Sequence, residues 1–97
     1  TSSQPAGDLV TFDERGMIAV EALYNVPAQA YVTADTRQLP GWASIKPVVR
    51  PWLIEARRYL LLVREAYRLG DETSFRARLA RLRSLRDQIM ARIPAAN

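Results

Sequence analysis

An all-α three-helix bundle is the fold class this sequence predicts, with a kinked first helix and an antiparallel hairpin of helices two and three. Three observations predict it. Three stretches carry apolar residues at alternating steps of four and three, the spacing that lines one face of a helix. The longest, Trp52 to Leu69, holds five consecutive apolar residues from Tyr59 to Val63, which breaks the alternation a half-buried strand requires. Pro40-Gly41 and Gly70-Asp71 mark the connections between stretches.

Residues 1–10, opening TSSQPAGD, are mostly small or polar and read as a flexible N-terminal tail ahead of one helical domain over 11–93. Thr11 and Glu14 form a capping-box pair, with the threonine oxygen accepting from the Glu14 N–H and the carboxylate reaching back. From there Met17, Val20, Tyr24, Pro27, Tyr31 and Ala34 make the stripe of the first helix, which runs to about Arg37. Pro27 removes one N–H and crowds the Leu23 carbonyl, so a kink is expected. The stripe continues in phase beyond it, so the kink either opens a groove near Leu23 and Asn25 or wraps the helix onto its neighbours.

Leu39 to Ser44 is the expected first connection, with Ser44 the expected N-cap of the middle helix and Pro47 in its first turn. Pro51 leaves two readings: a separate short turn over 45–50, or a bend near the helix start. Trp42 and Trp52 flank this segment, as the cap of one bundle end or as a ligand pocket. In the middle helix Trp52, Ala56, Tyr59, Val63 and Ala66 form the buried stripe, widened by Leu53, Leu60 and Tyr67. Ile54, Leu61 and Glu65 fall on the far side, facing solvent or a partner.

Gly70 suits the left-handed position that ends a helix, and Asp71 or Thr73 caps the next. So short a connection makes helices two and three antiparallel neighbours. Phe75, Leu79, Leu82, Leu85, Ile89 and Ile93 form the last stripe, and Pro94 closes it ahead of a C-terminal tail over 94–97.

The chain of 97 residues has neither cysteine nor histidine. Thiol nucleophiles, histidine bases, Ser-His-Asp triads, structural zinc and disulfides are thereby excluded. Acid-base chemistry falls to Asp13, Glu14 and Glu21; capping accounts for the first two, and Glu21 has no partner group in the sequence. Glycine-rich phosphate loops and metal-ligand spacings are absent. The expectation is a non-enzymatic protein with no catalytic residue, cofactor, metal or small-molecule substrate. No apolar run reaches bilayer-spanning length.

Charge is unevenly placed. Residues 1–45 carry two basic and five acidic side chains, whereas residues 46–97 carry twelve basic and five acidic. In the last helix, Arg76 and Arg83 lie on one flank of the apolar stripe, Arg81 and Arg92 on the other, and Arg78 and Arg86 inside its edges. Flanking cations suit pairing with acids on neighbouring helices, which the acidic first helix supplies. The alternatives are contact with nucleic acid or with an anionic membrane surface. Arg78 and Arg86 must snorkel, pair with a carboxylate or face another protein.

Two short signatures carry a resemblance: Asp13-Glu14 leading to Ala19-Val20-Glu21 and Tyr24, then Ala66-Tyr67, Gly70-Asp71 and Ser74-Phe75. On these the chain, over about residues 12–90, resembles small helical proteins of bacterial prophages and their host genomes, many preceded by a signal or lipoprotein leader. The resemblance implies a small accessory module. With the Thr1 start, which suits a removed leader, it favours the periplasm or cell envelope over the cytoplasm.

The functional expectation is a protein-interaction or structural module, an accessory subunit of a phage or envelope assembly, with a protein partner or a second copy. Its candidate contact residues are Ile54, Arg58, Leu61 and Glu65 on the outer middle helix, with Arg86 as an interface cation. The alternative is a basic nucleic-acid-binding protein using Arg76, Arg78, Arg81 and Arg83.

Overall fold

The computed structural model describes residues 10–94. Most of the N-terminal tail expected over 1–10, and residues 95–97 of the C-terminal tail, lie outside the described residues. Val10 is described, and its side chain is buried in the core.

Among the described residues three helices form the domain: α1 (Glu14–Arg37), α2 (Trp42–Arg68) and α3 (Glu72–Arg92). All three pack on one another, and the α2/α3 hairpin makes the most extensive contact. The fold is the three-helix bundle that the stripes predict. Val20, Pro27 and Ala34 of α1, Ala56, Leu60, Val63 and Ala66 of α2, and Phe75 to Ile89 of the α3 stripe are all buried. Pro27 is buried inside α1, which continues past it to Arg37.

Helix starts differ from the expectation at two places. Asp13 caps α1, accepting from the Gly16 N–H at 2.8 Å, and Thr11 donates its hydroxyl to the same carboxylate oxygen at 2.6 Å. A carboxylate three residues before a free N–H outcompetes the threonine, because a charged acceptor forms the stronger bond. The segment before the cap crosses the helix at Gly16, where a side-chain carbon would overlap the Thr11 carbonyl.

The second difference is larger. α2 starts at Trp42, ahead of both the expected Ser44 cap and the alternative start near Arg50, so the first connection is Gln38 to Gly41 and, among the described residues, no side chain caps the helix. Gly41 precedes the helix at φ 79°, a left-handed conformation that glycine adopts at little cost. Pro47 and Pro51 both sit inside the helix. Spaced four apart, they fall on one exposed side, so the carbonyls of Ala43 and Pro47 that lose their helical donors can be met by water. Trp42 and Val49, both buried, anchor this early part of α2 to the bundle.

Trp42 closes that end. Its ring packs edge-on to Tyr31, with centroids 5.3 Å apart, and its Nε1 donates to Asp35 at 3.1 Å. At the other end Gly70 takes φ 72° and the Asp71 N–H reaches the Ala66 carbonyl at 2.9 Å, ending α2. Asp71, not Thr73, caps α3 by accepting from the Ser74 N–H.

Candidate functional site

Helix pairing in the bundle decides which cations have an acidic neighbour. Arg64 grips Glu21 with Nε 2.8 Å from Oε2 and Nη2 2.7 Å from Oε1, and Lys46 lies 2.7 Å from Asp35. The acidic first helix therefore pairs with α2; the expectation from the wheel gave those acids to the arginines of α3. The physical reason is position: Lys46 and Arg64 fall on the α2 row that borders α1, while the α3 arginines are drawn to nearer groups.

Those groups are within the bundle. Arg76 bonds the Val10 carbonyl and pairs with Glu72 one turn back at 3.2 Å. Arg78 donates to the Leu62 carbonyl at 2.9 Å, and Arg81 pairs with Glu55 of α2 at 2.9 Å. Arg83 is half-buried. Arg86 takes neither a buried carboxylate nor a distant acid, but bonds the adjacent Asp87 at 2.8 Å. At least three of the four arginines named for nucleic acid thus hold protein groups already.

The outer face of α2 presents a different arrangement. At about 100° per residue, Lys46, Arg50, Arg57, Arg64 and Arg68 fall within about 40° of one another along about 33 Å of helix. Ile54, 64% exposed, and Leu61, 47% exposed, border that row, with Arg58 and Glu65 exposed beyond them. The structure brings together four of the sequence-named contact residues, Ile54, Arg58, Leu61 and Glu65; Arg86 stands apart on α3. Among the described residues, Arg50, Arg57, Arg58 and Arg68 form no ion pair with a carboxylate.

Where this row meets α1 there is an open cleft of about 440 Å³. Tyr24 and Tyr31 form its α1 wall, and Lys46, Arg50 and Arg57 its α2 wall. Leu53 and Ile54 supply apolar surface, and among the described residues no acidic side chain lines it. The Arg57 guanidinium lies 6.0 Å from the centre of the Tyr24 ring. Asp35 sits beside Lys46, whose ammonium holds its carboxyl below the usual range, with the Trp42 N–H acting in the same direction. Lys46 is raised in turn, chiefly by Asp35.

Arg50, Arg57 and the two tyrosines were missed as a group by sequence reasoning. The signal was present in the seven-residue spacing of Arg50, Arg57 and Arg64 and of Tyr24 and Tyr31. It was obscured because the cleft depends on how α1 lies against α2, which spacing along one helix does not contain.

Among the described residues no group of three or more acidic side chains could hold a metal ion, and no helix is long and apolar enough to cross a membrane. Fold and face together define a small helical protein with one cationic, partly apolar outer helix. Comparison with known proteins adds no relative: no family model matches the chain, and no match is found among curated proteins or solved structures.

Proposed function

We propose that this protein is a non-catalytic interaction module whose contact surface is the outer face of α2. The observation that carries the reading is the exposure of Ile54 and Leu61, two turns apart on one side of a helix whose opposite side is fully committed to the core. Burying two such side chains against a partner removes apolar area from water, at about 1.5–3 kcal/mol for each aliphatic side chain fully buried. Neighbouring charges at Arg58 and Glu65 give such a contact its register. The resemblance of its capping and turn residues to prophage-associated helical proteins supports a role as an accessory subunit, in a phage or cell-envelope assembly.

The nucleic-acid alternative draws less support, since Arg76, Arg78 and Arg81 already bond protein groups. Co-purification from the source cells tests the proposal with Leu61→Glu, Ile54→Glu and, as a control on exposed α3, Ala80→Glu. A defined partner retained by wild type and Ala80→Glu and lost from both α2 variants, with unchanged helical circular dichroism, is the expected result. Equal retention by all four proteins would contradict it.

A further inference from the structure

We infer that the cleft between α1 and α2 takes an acidic helical segment of a partner protein, its carboxylates on Arg50 and Arg57 and an apolar side chain between them. This rests on the reading of α2 as a contact face and names the chemistry of what it contacts.

Charge complementarity carries the inference. The cleft is walled on one side by three cations and, among the described residues, lined by no acid, so an anionic occupant is favoured over a neutral or cationic one. Lys46 is already satisfied by Asp35, which leaves Arg50 and Arg57 as the groups with unused donors. They are seven residues apart, about 10 Å along the helix, and their planar donors suit two-pronged carboxylate contacts. An occupant that is itself a helix, with acids seven residues apart and leucine-like side chains three and four residues after the first, matches both the arginines and the apolar strip of Leu53 and Ile54.

The same charges argue against a second copy of this chain. A symmetric contact places one patch against itself, and here it would set Arg50, Arg57 and Arg58 against their own counterparts. Tyr24 and Tyr31 also repeat at seven residues along the facing wall, so both walls have the period of the proposed occupant. Arg57 lying near Tyr24 is partly pre-ordered, which lowers the entropy cost of binding.

The probe is a fluorescein-labelled helical peptide with two glutamates seven residues apart and leucines three and four residues after the first. Its controls are the same peptide with lysine for glutamate and a single-stranded oligonucleotide of matched charge. Fluorescence anisotropy should show the acidic peptide binding wild type, with at least a tenfold loss in Arg50→Glu/Arg57→Glu and no binding of the lysine peptide. Both arginines are exposed, so the double variant should keep its circular dichroism; Arg50→Gln/Arg57→Gln, which only neutralises, should give an intermediate loss. Absent or undiminished acidic-peptide binding would overturn the inference, while partner loss on Leu61→Glu would still leave the contact reading standing. Tighter binding of the oligonucleotide, lost in the double variant, would assign the cleft to nucleic acid. Self-association seen by light scattering and lost in the double variant would assign it to a second copy.

Discussion

Arg64 holds Glu21 through two parallel hydrogen bonds of 2.8 and 2.7 Å, joining the C-terminal part of α2 to the first half of α1. Both side chains are more than a third exposed, so solvent screens the pair and its worth is modest. A double-mutant cycle with Glu21→Gln and Arg64→Gln should give a coupling energy of about 0.5–1 kcal/mol at low salt, shrinking at high salt. Urea unfolding of the four proteins measures it. A coupling near zero at low salt would show that packing alone sets α1 against α2.

Gly16 lies beneath the Thr11 carbonyl with no room for a methyl group. Alanine normally stabilises a helical site, yet here Gly16→Ala has to push the segment from Val10 to Phe12 off the bundle. That segment places Val10 in the core and the Phe12 ring 4.9 Å from Phe75. Gly16→Ala should therefore destabilise the fold by about 1–3 kcal/mol, the cost typical of overpacking. Thermal unfolding checks the sign, and an increase in stability would refute the crossing.

Phe75 is fully buried where the Val10–Phe12 segment, α2 and α3 meet, in edge-on contact with Phe12 and tilted contact with Tyr67. Truncation there leaves a cavity that three elements line, so Phe75→Ala should cost about 3–5 kcal/mol. Leu61→Ala, nearly half exposed, should change stability by no more than about 0.5 kcal/mol. Chemical denaturation of the two variants tests this contrast, which separates a core residue from a surface residue.

Three carboxyl groups give the fold an acid limit. Asp13 is lowered chiefly by the Thr11 hydroxyl and then the Gly16 N–H, and Asp71 by the Ser74 N–H and then its hydroxyl. Asp35 is lowered by Lys46 and then by Trp42. A carboxyl group whose value is lower folded than unfolded contributes stability above the unfolded value, near 3.8, and loses it as pH falls through the folded one. Lys46, raised above its usual 10.5, has the opposite sign: its contribution is full below 10.5 and lost as pH climbs through the higher folded value. Stability should hold level across neutral pH and fall below about pH 4, where these carboxyl groups take up protons. Asp13→Asn and Asp71→Asn should each flatten that fall, as unfolding midpoints at pH 7, 4 and 3 would reveal; an unchanged slope would show that other groups set it.

The fold was legible because it rests on periodicity. The α3 stripe from Phe75 to Ile89 is buried throughout, and the row from Val20 to Ala34 turns one side of α1 inward. Helix starts were less legible, since they depend on which of several local acceptors wins. Asp13 displaced Thr11 because a carboxylate was in reach of the same N–H groups, and α2 ran back to Trp42 because water can meet the carbonyls that Pro47 and Pro51 leave bare. The candidate face was half legible: the exposure of Ile54 and Leu61 follows from the stripe, whereas the cleft depends on how α1 lies across α2. Which arginines remain unpaired depends on three-dimensional neighbours such as Leu62 and Glu55, and no spacing rule contains that.

Contact through α2 is tested most directly by a photo-crosslinking amino acid placed singly at positions 54, 61 and 80 in the source cells. The account predicts a discrete adduct with one protein from positions 54 and 61 and none from position 80. Adducts at none of the three, or equally at all three, would contradict it.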